Sequence, residues 1–252
     1  MNIHSSSRPH LFEPMTIKSV TLRNRIGVSP MCEYSSVDGA ATDWHLVHLG
    51  SRAVGGAGLV VAEASAVSPE GRITPGDAGI WADKHVEPVA RINRFLKEHG
   101  AVPGIQIAHA GRKASAARPW EGGAHLADQD SGWPIIAPSA LAFGGDLTKV
   151  RRAMSLEEIT RVQEEFVAAA KRSLAAGCEW LELHAAHGYL MHEVLSPISN
   201  RRTRTRSSAM AARTWCCWRG SFCAKPYWPR LAARVLGHKD AVSGPVQYGR
   251  AW

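Results

Sequence analysis

Four short, strand-like runs alternate with helix-like segments along the first 200 residues of this 252-residue chain, and that alternation restricts the fold more than any other feature. Arg25 to Ser29 is followed by a helical stretch over Trp44–Val54. Gly58-Leu-Val-Val-Ala-Glu63 precedes a helix over Asp83–His99, and Val102 to Ala108 forms the third run. Its helix comes only after a Gly-, Pro- and Trp-rich loop from Gly111 to Arg152, a length that in a compact domain usually carries function. That helix begins at Ser155, where Glu158 three positions on completes a capping box. Ile159, Val162, Phe166, Ala169 and Ala170 make its apolar face, and Gly177 ends it. The fourth strand follows over Glu179–Leu183. Leu11 to Ile26, ahead of the series, reads as a β-hairpin lid.

Near-continuous apolar strands joined through helices predict a parallel sheet covered on both faces, hence an α/β protein. Right-handed crossovers would curl such a sheet toward a (β/α)₈ TIM barrel. A doubly wound sheet is the alternative, but no G-x-G-x-x-G follows the first strand.

Polar residues gather just past the strand ends, where such barrels place their chemistry: Ser29-Pro-Met-Cys32, Glu63-Ala64, Gln106 with His109, and His184 with His187. A lone histidine would read as a core residue. Two at one strand end, followed by Gly188-Tyr189, point instead to a site. Their N–H groups would stabilise negative charge on a carbonyl or nitro oxygen, and Tyr189 would act as general acid. As metal ligands they would need His192 and Glu193, at a spacing that matches no standard zinc pattern, so no metal is expected. Cys32 reads as a buried small hydrophobe or as a thiol beside a redox cofactor, with nothing local to activate it as a nucleophile. The tight turn around it offers backbone groups to a ring edge. Tyr34 is a substrate-side hydroxyl or an aromatic wall. Gln106 offers donor and acceptor to a planar heterocycle, and Ala64 is small enough to lie under one.

The net charge of +8 would suit a nucleic-acid partner, but its distribution argues against one. Residues 204–252 carry nine basic residues and one acid, with no helical or strand period, and the remainder is neutral. No apolar run is long enough for a membrane span, and residues 1–10 read as a disordered polar start without a signal-peptide core. Cysteine usage fits a reducing, cytoplasmic setting.

Together these residues resemble the Old Yellow Enzyme family of FMN-dependent oxidoreductases, especially its bacterial NADPH dehydrogenase and xenobiotic reductase branch. The resemblance rests on Leu11-Phe-Glu-Pro14, Leu22-Arg-Asn-Arg-Ile26, Ser29-Pro-Met-Cys32, Glu70-Gly-Arg-Ile-Thr74, Gln106-Ile-Ala-His-Ala-Gly-Arg-Lys113, Ala137-Pro-Ser139 and His184-Ala-Ala-His-Gly-Tyr-Leu190. Leu195-Ser-Pro-Ile-Ser-Asn-Arg-Arg-Thr203 continues it, so residues 11–203 match the N-terminal half of an FMN-binding TIM barrel. The resemblance implies that Ser29, Pro30, Met31, Cys32, Ala64 and Gln106 contact FMN. It implies that Tyr34, His184 and His187 hold a small electrophilic substrate such as an activated alkene, with Tyr189 as proton donor and NADPH as reductant.

After Thr203 the resemblance stops. The family's flavin-contacting arginine and phosphate-binding Gly-Arg turn would lie beyond this point, whereas residues 204–225 read as out of frame. Read one base back, Trp215-Cys-Cys-Trp218 encodes Val-Leu-Leu whichever cysteine codons are used, Met210-Ala211 forces a Gly and Phe222-Cys223 forces a Leu. An internal deletion with the frame restored near Lys225 explains this, and the coding DNA would test it. Residues 226–252 again resemble the family's C-terminal tail, in which Arg250 and Trp252 match positions that reach a neighbouring subunit's site. Two readings follow. One is an FMN-dependent ene-reductase or NADPH dehydrogenase, possible as a homo-oligomer. The other is an inactive half-barrel remnant that binds no flavin and self-associates.

Overall fold

The computed structural model describes residues 10–150, 152–196, 227, 229, 230 and 233. Four strands form one parallel sheet in chain order: β3 (Gly27–Val28), β4 (Leu59–Ala66), β5 (Val102–Ala108) and β6 (Trp180–Leu183). Between them run α1 (Asp43–Val54), α2 (Val86–Glu98) and α3 (Leu156–Ala175), and α4 (Leu190–Leu195) follows β6. The β1–β2 hairpin (Met15–Ile17 and Val20–Leu22) precedes the sheet. Four βα units curled in one layer are half of a (β/α)₈ barrel.

Two apolar clusters sit between sheet and helices. Ile26, Val28 and Val60 pack with Leu49 and Ala53 of α1 and with Ile92 and Leu96 of α2. Ile105 and Ile107 pack against Ala169, Phe166 and Ala170 of α3. Because side chains alternate along a strand, the intervening residues of β4 and β5 face the barrel interior. There Leu59, Val61, Val102 and Trp180 meet Met15 and Val20 of the hairpin. These residues lie at the N-terminal ends of the strands, so the hairpin plugs the end opposite the polar cluster. It is therefore a floor, not the lid its sequence suggested.

The α3 boundaries follow local chemistry. Ser155 Oγ accepts the Glu158 amide at 3.2 Å, and the Glu158 carboxylate accepts the Ser155 amide at 2.7 Å. The chain leaves the helix through Gly177, at φ +80°, a left-handed value that glycine adopts without strain.

The long loop is tied down throughout. The Arg112 guanidinium donates to the Leu141 carbonyl and Ser139 Oγ, the Lys149 amide donates to His125 Nδ1, and Trp133 Nε1 donates to the Glu70 carbonyl. Residues 1–9 of the start expected to be disordered, the segment 204–225 and most of the tail, with Arg250 and Trp252, lie outside the described residues.

Candidate active site

The site forms at the C-terminal ends of the strands. A β-bulge between Ala62 and Ala64 lets β4 continue to Ala66, past the strand end expected at Glu63. The bulge turns Glu63 toward the helices, where its Oε1 lies 3.0 Å from His45 Nε2 of α1. The other Glu63 oxygen accepts the Glu33 amide at 3.0 Å. A buried carboxylate behind the sheet thus pins the Ser29–Tyr34 loop in front of it. Met31 sends its side chain into the helix-facing cluster. Ala64 pairs with Gln106 in the parallel register, and both face the interior beside the small residues Ala66 and Ala108.

Gln106 is buried and its Nε2 donates to Glu182 Oε1 at 2.5 Å. Glu182, which carried no expected role, thus meets Gln106 on the inner face. Its only sequence signal was an acid between two leucines on an inward-facing position. His109, expected beside Gln106, is elsewhere: it is fully buried, its Nδ1 accepts the Gly111 amide at 3.1 Å, and it holds the turn after β5.

The histidine pair comes together as expected. His187 Nδ1 lies 3.3 Å from His184 Nε2, and the Ala186 amide donates to His184 Nδ1 at 3.3 Å. With Nδ1 accepting, the His184 proton resides on Nε2 and points at His187. His187 then carries its own proton on Nε2. Burial, and then the charges of His187, Lys113 and His192, push the His184 pKa down to about 4, so the ring is neutral near pH 7. His187 has φ +57°, a left-handed value uncommon outside glycine, and Gly188 continues the turn at φ +74°. This two-residue turn folds Tyr189 back until its ring stands perpendicular to His184, with centroids 4.5 Å apart.

Lys113 is the second residue without an assigned role in the sequence. Its Nζ lies 4.3 Å from the Phe143 ring centroid and 5.4 Å from that of Tyr189, and burial lowers its pKa. The signal for it was a cation four residues past His109, at the mouth of the long loop. Tyr34, at φ +50°, meets Trp120 edge-on at 5.9 Å. Burial, then the neighbouring Cys32, push the pKa of its hydroxyl up. Burial, then Glu63 and Asp77, push the Cys32 pKa up, which leaves a neutral thiol and no nucleophile. No cluster of three metal-ligating side chains occurs among the described residues.

A flat, small-residue floor, an amide with both donor and acceptor, and a histidine–tyrosine cluster at the barrel mouth are the setting for a planar cofactor. Residues 10–208 match the family model described as NADH:flavin oxidoreductase / NADH oxidase. The chain belongs to this family. An NADPH dehydrogenase from Bacillus subtilis is 49% identical over 195 residues, covering 77% of this chain and 53% of the relative. An NADH:flavin oxidoreductase from Gibberella zeae is 48% identical over 202 residues, covering 79% and 49%. Among solved structures, morphinone reductase superposes with a TM-score of 0.67 at 27% identity, covering 92% of this chain and 61% of its own. An Old Yellow Enzyme from Pichia sp. gives the same score and identity, covering 92% and 56%. The chain therefore spans about half the length of the curated relatives it matches. Its sheet is the first half of their TIM barrel.

Proposed function

We propose that this chain is an FMN-dependent oxidoreductase that passes reducing equivalents from NADPH to a small electrophilic substrate, an activated alkene above all. The observation that carries this reading is the convergence of His184, His187 and Tyr189 at one strand end, over the floor formed by Ala64 and Gln106.

The residues present fit the flavin ring. Ala64 and Ala66 would form its floor, Gln106 would offer donor and acceptor to its polar edge, and the Ser29–Cys32 segment would border it. When bound, FMN supplies the hydride transfer. The chain's own side chains do the rest. His184 Nε2–H already points at His187 Nδ1, so a substrate oxygen that accepts it replaces the mutual hydrogen bond, and His187 becomes the second donor once its proton sits on Nδ1. Tyr189 delivers a proton from its hydroxyl to the carbon beside the electron-withdrawing group. The Lys113 ammonium steadies the phenolate left behind. Tyr34 closes the substrate side.

Unpaired Cys32 and Cys178 accord with a reducing cytoplasm. No helix among the described residues is long and apolar enough to cross a membrane.

A second reading, a flavin-free half barrel that self-associates, is favoured by the exposure of Leu181 and Leu183 on β6. Titration of the purified protein with FMN separates the two. A yellow complex bleached by NADPH and recoloured by an activated enone supports the enzyme. A protein that leaves FMN fluorescence unquenched supports the remnant.

A further inference from the structure

We propose that two copies of this chain close a single eight-stranded barrel, with β6 of each copy seated against β3 of the other. The sheet ends in β3 on one side and β6 on the other, and among the described residues neither has a second neighbour. All four strands are parallel, so a two-fold axis along the barrel axis brings each β6 beside the other copy's β3 in parallel orientation. The two junctions are then identical, as closed symmetry requires.

The register can be worked out. One level of the sheet runs Val28, Val60, Pro103 and, through the Glu179 amide on the Pro103 carbonyl, Glu179. An eight-stranded barrel of this kind has a shear of about 8, so two equal junctions each contribute a shift of about 4 residues. Only one sign of that shift sets strand against strand. It places Trp180–Leu183 of β6 against Arg25–Val28 of the partner subunit. Leu181 then lies beside Ile26 of the partner subunit, and Leu183 beside Val28 of the partner subunit.

Side-chain parity supports this register. Ile26 and Val28 face the helix layer, in the same cluster as Leu49 and Ala53. Leu181 and Leu183 pair with Ile105 and Ile107, so they face that layer too, yet they are 42% and 52% exposed while their neighbours on β5 are buried. Two exposed leucines are matched to two apolar residues, and Glu182 to Gly27, with no side chain on the wrong face. The Arg25 amide already donates to the Leu11 carbonyl, so new ladder bonds concentrate at Gly27 and above.

A second observation chooses another copy as the occupant. Pro229, Arg230 and Ala233 are helical and buried, and Ala233 packs among Phe12, Ile26 and Val28. This helix sits on the outer face of β3, at the edge where the strand before β3 in a closed barrel would share it. In the dimer that strand is β6 of the other copy, and its bare leucines meet this helix. Burying both edges also removes the open strands that would otherwise template aggregation.

Two experiments on the full chain test this. Sedimentation velocity should give a species of twice 27.3 kDa at tens of micromolar, which Leu181→Lys with Leu183→Lys converts to a monomer. Mild oxidation of a mixture of Val28→Cys and Leu183→Cys proteins should give a reductant-sensitive covalent dimer that neither protein gives alone. The cross-link stands even where the lysine variant does not fold. A 27.3 kDa monomer, a ladder of larger aggregates, a dimer indifferent to the lysines, or cross-linking of Leu183→Cys with itself would each overturn the closure.

Discussion

Tyr189 is the residue on which the chemistry is most exposed to test. Its ring is held by His184 on one face and approached by Lys113, so the Tyr189→Phe variant keeps the packing and loses only the proton. General acids contribute roughly 10² or more to rate. Alkene reduction should therefore fall about 100-fold while flavin reduction by NADPH stays within a few-fold, as separate stopped-flow half-reactions would show. A loss in both halves would instead mark Tyr189 as structural. At this scale the sequence was informative where chemistry and spacing coincided. His184 and His187, three apart after an apolar run, are found at 3.3 Å. It was uninformative where a role depends on a fold-back from elsewhere. Lys113 reaches Tyr189 across 76 positions of sequence, and nothing local to either residue encodes that meeting. His109 shows the opposite case, because it was grouped with the polar residues past the strand ends and its buried ring serves a turn.

Elements were legible when their ends carried capping chemistry. The Ser155–Glu158 box fixed the start of α3, and Ser155→Ala should cost about 1 kcal/mol, seen as a lower urea midpoint with unchanged slope. An unchanged midpoint would show that the exposed end of α3 frays without consequence. β4 was misjudged by three residues because a β-bulge is a tertiary solution to a local conflict. Glu63 is drawn backward by His45 and the Glu33 amide so that Ala64 and Ala66 can stay on the inner face. The hairpin was recognised from its alternation, but which end of the barrel it closes depends on Trp180, distant in sequence.

For the whole molecule, buried titratable groups pull stability in opposite directions with pH. Burial lowers His48, His109 and His184 to about 4, so the unfolded chain binds their protons first as pH falls below 6.5. Burial raises Asp77 and Glu193 to about 7, so the folded chain binds those protons first. Between pH 4.5 and 6.5 the two uptakes oppose each other and the stability curve is shallow. Above 6.5 the unfolded histidines shed their remaining protons, and past pH 7 the carboxylates make the larger difference. Their contribution is lost as pH rises through 7, so the Tm should fall from pH 6.5 to 8. A Tm that climbs over that interval would contradict the assignment. The barrel lineage was visible in four strand–helix units. So was the unclosed edge behind the self-association reading, but which side chains it bares depends on what stands beside β6.

That strand sets the order in which the molecule comes apart. β4 and β5 have a neighbour on each side and a helix layer behind, whereas β6 leans on β5 with Leu181 and Leu183 bare. In the separated single chain, as in the Leu181→Lys with Leu183→Lys variant, its amides should exchange with deuterium faster than those of β4 and β5. His184, His187 and Tyr189 all hang from the far end of β6. On gentle warming the chain should therefore lose its grip on substrate while most of its helix signal persists, so function fails before the fold does.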